Sequence, residues 1–133
     1  MSEAVLDASA LLAYLNEEPG AEAVEQALAE GACIGAANWA EVLSQVIESG
    51  VEPEELIRAL EARGLLGQTL EVLPWLAEDS LTVAKLYSVT KAAGLSLGDR
   101  SCLALGFRLA LPVLTTDRAW QKLPVNIEVR VVR

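Results

Sequence analysis

Five short apolar runs, at 4–6, 32–35, 69–73, 113–114 and 127–132, alternate with stretches of helical spacing. Each run is too short for a buried helix and is apolar enough to be covered on both faces. That pattern predicts an α/β fold in which helices sandwich a short-stranded, mainly parallel sheet in three layers. Helices are predicted over 8–16 (Leu11, Leu12, Leu15), 21–30, 37–49, 53–63, 76–93 and 99–110. Pro19 and Pro53 suit first helical positions, and Gly31, Gly50, Gly64 and Gly94 suit helix ends. Leu81, Ala84 and Val89 are the expected inward face of the long helix.

No repeat, linker or low-complexity stretch interrupts the 133 residues, so one domain spanning 1–133 is expected. Hydrophobic residues make up 53% and aromatics 5%, which predicts a core of Leu, Val and Ala. The formal net charge is −9, so the basic footprint of a free nucleic-acid binder is missing. Either the acids are spread over a solvated surface or some gather where a metal neutralises them. An acidic chain also suits a basic protein partner. Cys33 and Cys102 sit in apolar surroundings without CxxC spacing, as expected of free thiols in a reducing cytosol. No apolar run approaches membrane-span length, and a soluble, cytoplasmic protein is expected.

The sequence contains no histidine, which removes imidazole bases and His metal sites. Asp7, Glu41, Asp99 and Asp117 are the candidate site residues. Asp7 follows the first strand and Asp117 the fourth, where parallel sheets carry ligand sites. Each also suits a helix cap, and one carboxylate can do both. The two acids become neighbours if strands one and four pair. Asp99 completes a capping box with Ser96, yet shares a helix face with Cys102, Leu103 and Gly106. Glu41 lies on a stripe with Asn38, Gln45 and Glu48 that by spacing alone reads as a wet face, beside an apolar side of Ala40, Leu43 and Ile47.

Were the four to converge, like charges would raise one another's pKa, and a divalent cation would relieve the repulsion. All-oxygen donors favour Mg²⁺ or Mn²⁺. Such an ion acidifies bound water and stabilises charge on a phosphoryl oxygen, so phosphodiester hydrolysis is the natural reaction. Arg100 and Arg118 follow two of the acids and either hold phosphates or pack along helix starts. Trp39, Trp75 and Trp120 suit packing better than base stacking.

Four segments resemble the PIN domain, in particular the toxin half of VapBC pairs. They are Val5-Leu6-Asp7-Ala8-Ser9-Ala10, Asn38-Trp39-Ala40-Glu41-Val42, Leu95-Ser96-Leu97-Gly98-Asp99 and Thr115-Thr116-Asp117-Arg118-Ala119-Trp120. The resemblance covers the whole chain and implies a PIN fold and a Mg²⁺- or Mn²⁺-dependent endoribonuclease. It implies Asp7, Glu41, Asp99 and Asp117 as metal ligands, with Ser9 and Thr115 in support. It also implies a homodimer held inactive by an antitoxin whose Arg-bearing tail enters the site. Two other readings remain. One is a PIN-like module that docks a partner without cleaving. The other is a phosphohydrolase or phospho-receiver on a similar sheet, disfavoured because Ala8 and Ser9, not a second acid, follow Asp7 and no Lys closely follows the 113–114 strand.

Overall fold

The computed structural model describes residues 2–133. Its elements run β1 (Ala4–Leu6), α1 (Ala8–Leu15), α2 (Ala21–Glu30), β2 (Ala32–Gly35), α3 (Ala36–Glu48), α4 (Pro53–Ala62), β3 (Leu70–Leu73), α5 (Ala77–Thr90), α6 (Leu97–Leu109), β4 (Val113–Thr115) and β5 (Val129–Val131). Short 3₁₀ turns follow α5 and β4, at Lys91–Ala93 and Arg118–Lys122. The predicted strands and helices all form, with ends shifted by a few residues. Pro19 lies just outside α2, whose N-cap is Gly20.

The strands form one sheet in the order β3-β2-β1-β4-β5, with every pairing parallel. Strand residues alternate between two cores, as a period of two requires. Ala4, Leu6, Ile34 and Leu114 pack with α1 and α2 side chains such as Leu11, Val24 and Leu28. Val5, Cys33 and Val113 pack with Cys102, Leu103 and Leu105 of α6 and with Trp120. The three-layer expectation holds. β1 occupies the centre, with Val5 and Leu6 opposite Val113 and Leu114 of β4. The chain first winds outward from β1 to β2 and β3, then returns to β4 on the other side. The two halves part between β1 and β4, which is where open parallel sheets form a crevice at their carboxyl ends.

Two helix faces differ from expectation. On α5 the inward residues are Asp79, Val83 and Thr90, while Leu81 is 62% and Val89 44% exposed, and Ala84 also faces out. The helix is rotated by an ion pair: Asp79 caps the Leu76 N–H and accepts from Arg108 Nε of α6 at 2.8 Å. A carboxylate this buried needs its partner, and burying Asp79 also buries Val83 and Thr90, four and eleven residues on. On α3 the buried residues are Asn38 and Val42, whereas Ala40 and Ile47 are exposed.

α6 lies hard against β4 at Gly106. A Cβ there would overlap Val113 Cγ2 and stand 3.4 Å from the Leu111 carbonyl oxygen. Gly106→Ala is therefore expected to destabilise by about 1–3 kcal/mol, against the helix preference of Ala. A urea midpoint equal to or above wild type would show that α6 can shift away from the sheet freely.

Candidate active site

Asp7 leaves the central strand at its carboxyl end, with its N–H bonded to the Leu114 carbonyl of β4. The residue is 4% exposed, and both its carboxylate oxygens accept hydrogen bonds. Oδ1 accepts from the Ala10 N–H at 2.7 Å, capping α1, and from Ser9 Oγ at 2.7 Å. Oδ2 accepts from Thr115 Oγ1 at 2.5 Å. Ser9 and Thr115 thus clamp one carboxylate from the two strand ends that meet at the crevice. The Ser9 hydroxyl in turn accepts from the Thr116 N–H, and that of Thr115 from the Asp117 N–H. The cap and the site residue are therefore one side chain.

Asp117 caps the 3₁₀ turn through the Ala119 N–H at 2.9 Å. Asp99 and Ser96 form the expected capping box, at 2.9 and 3.1 Å. Glu41 is half-buried on α3 and accepts from Asn38 Nδ2 at 2.9 Å.

Asp7, Glu41, Asp99 and Asp117 line a single cleft of about 220 Å³, together with Ser9, Leu12, Gln45 and Trp120. All four acids named from the sequence therefore border the same cleft. Among the described residues, however, no three acids stand close enough together to form a finished ion cage.

Burial pushes the Asp7 carboxyl from 3.8 up to about 6, against the lowering effect of the Thr115, Ser9 and Ala10 hydrogen bonds, and the Asp99 charge pushes the same way. Burial also raises Glu41; its Asn38 hydrogen bond opposes this and Asp99 adds to it. Burial, more than like-charge repulsion, is what disfavours the charged form of both groups. The donors are all hard oxygens, which fit Mg²⁺ or Mn²⁺. Mg²⁺ commonly takes only one or two carboxylates and keeps several waters, so an open ring of acids suits it.

The arginines beside the acids do not face the cleft. Arg100 Nη1 donates to the Val83 carbonyl at 2.9 Å, with its guanidinium carbon 5.2 Å from the Tyr87 ring centre. Arg118 Nε donates to the Arg133 carbonyl. Trp120 is buried at 1% exposure, Trp39 packs on the α1 side of the sheet, and Trp75 is 37% exposed. Cys33 and Cys102 are buried free thiols. Among the described residues no helix is long and apolar enough to cross a membrane.

Asn38 and Gly98 stand within the segments quoted from the sequence, but sequence reasoning assigned neither a place at the site. Asn38, placed on a wet stripe, is 1% exposed and bonded to both Glu41 and Gly98. Its position three residues before Glu41 on one helix face was the available signal.

No curated protein matches the chain. Solved structures do. Similar chains come from DNA-bound VapBC of Salmonella typhimurium (TM-score 0.70, 18% identity, 98% of each chain covered) and VapBC-1 of nontypeable Haemophilus influenzae (0.70, 20%, 96% of each). A third comes from a toxin–antitoxin complex of Klebsiella pneumoniae (0.68, 18%, 91% of this chain and 92% of that one). At such identities they share a fold. The family model of the PIN domain matches residues 4–126, and the chain belongs to the PIN domain family.

Proposed function

We propose that this chain is a divalent-metal-dependent endoribonuclease, the toxin of a toxin–antitoxin pair, acting in the cytoplasm as a single domain. The observation that carries the reading is the cleft in which Asp7, Glu41, Asp99 and Asp117 meet without a histidine or an inward-facing arginine. Family membership and the toxin–antitoxin setting of a structural neighbour support it.

Asp7, Glu41, Asp99 and Asp117 would hold Mg²⁺ or Mn²⁺. A bound divalent ion supplies Lewis acidity toward the phosphoryl oxygen and acidifies water. Ser9 and Thr115 hold Asp7 in one orientation. The capping bonds at Asp99 and Asp117 fix those carboxylates on the rim. Among the described residues no Lys or Arg lines the cleft, so neutralising the scissile phosphate would fall to the ion.

The net charge of −9 favours a basic antitoxin. Leu81, Val89 and Phe107 line an exposed apolar groove with Val125 and Ile127, a surface suited to a second copy of the chain.

RNA cleavage by the purified protein is expected with Mg²⁺ or Mn²⁺, to stop with EDTA and to return with excess Mn²⁺. Cleavage that survives EDTA would sink the metal reading. Stoichiometric metal binding with intact RNA would favour the non-cleaving partner-binding module instead.

A further inference from the structure

We infer that Asn38 and Gly98 form a positioning device for Glu41, tying α3 to the first turn of α6. The inference rests on the metal-dependent reading above. Asn38 Nδ2 donates to Glu41 Oε1 and to the Gly98 carbonyl, both at 2.9 Å. Both partners only accept, which fixes the amide orientation. The cost is visible in the structure: Asn38 Oδ1 is buried and has no partner. Gly35 lies behind it, where a Cβ would come within 3.2 Å of that oxygen. A buried amide kept only for packing would not leave an acceptor stranded.

Gly98 closes the other side. Its carbonyl accepts from Asn38 and, at 2.7 Å, from Ser101 Oγ. A Cβ at this position would overlap Glu41 Oε1 and stand 3.0 Å from Cδ. The carboxylate of Glu41 thus rests in the space that a side chain at 98 would take, one residue before Asp99. Glycine is needed there for close approach, since its φ is ordinary. Asn38 draws Glu41 toward the α6 terminus and Gly98 admits it. Glu41 thereby reaches the rim that carries Asp99, although it projects from a different helix.

The test uses Mn²⁺ binding followed by electron paramagnetic resonance, with thermal unfolding of the metal-free proteins alongside. Gly98→Ala replaces glycine within a helix, so its metal-free Tm is expected to equal or exceed wild type. Its Mn²⁺ affinity is expected to fall by about 10–100-fold, the usual effect of losing a supporting partner. Asn38→Asp sets a third acceptor against Glu41 and the Gly98 carbonyl, and a loss of the same size is expected. If Asn38→Asp fails to fold, Gly98→Ala decides alone. Wild-type affinity in folded Gly98→Ala would overturn the device while leaving the metal site standing. No Mn²⁺ binding by wild type would overturn the metal reading and this inference together.

Discussion

Asp7→Asn is expected to silence RNA cleavage while making the metal-free protein more stable at pH 8. The loss of activity should be at least about 10³-fold, because a metal supplies several kcal/mol at the transition state and about 1.4 kcal/mol is a factor of ten. The gain in stability follows from proton binding. An unfolded Asp releases its proton near 3.8, while folded Asp7 holds it to about 6. The folded state binds more protons between those values, so stability falls as pH rises through that window. Two pH units correspond to about 3 kcal/mol. The amide keeps the α1 cap but changes the bond to Thr115, so a net gain of about 1–3 kcal/mol is expected at pH 8. At pH 5 the advantage should shrink, since Asp7 is then largely protonated. Urea unfolding in EDTA at both pH values measures it. A variant less stable than wild type at pH 8 would show that the ionised carboxylate costs the fold nothing.

Trp120→Ala is expected to cost about 3–5 kcal/mol, a large share of the 5–15 kcal/mol that holds a typical domain together. The indole is 1% exposed and packs with Val5, Cys33, Cys102 and Leu103. It also lines the acid cleft and belongs to the turn that Asp117 caps. Stability and site geometry should therefore fail together. Circular dichroism in urea gives the loss, with Trp75→Ala, at 37% exposure, as a comparison expected to change stability by less than about 1 kcal/mol. Similar values for the two would remove Trp120 from the core.

The layered architecture was legible because the three central strands, β1, β2 and β4, are brief apolar runs bounded by Gly, Pro or a capping acid, whereas β3 and β5 at the edges carry exposed Glu71 and Arg130. The placing of Asp7, Asp99 and Asp117 was legible for a related reason: caps sit at element ends, and element ends are where this sheet opens its acid-lined cleft. The faces of α3 and α5 were not. Leu81, Val89 and Ile47 are as apolar as any core residue, and what turns them outward is a pairing of Asp79 with Arg108, 29 residues away. The burial of Asn38 was not legible, because a polar residue beside other polar residues reads as surface. Only its contact with Gly98, 60 residues distant, explains its burial.

β4 enters the sheet last among β1's neighbours, yet it supplies Thr115 to a carboxylate 108 residues earlier. While a ribosome is still making the chain, Asp7, Glu41 and Asp99 all emerge before the strand that joins the halves. Until residues 113–117 are made, the cleft lacks Asp117 and Asp7 lacks its Thr115 partner.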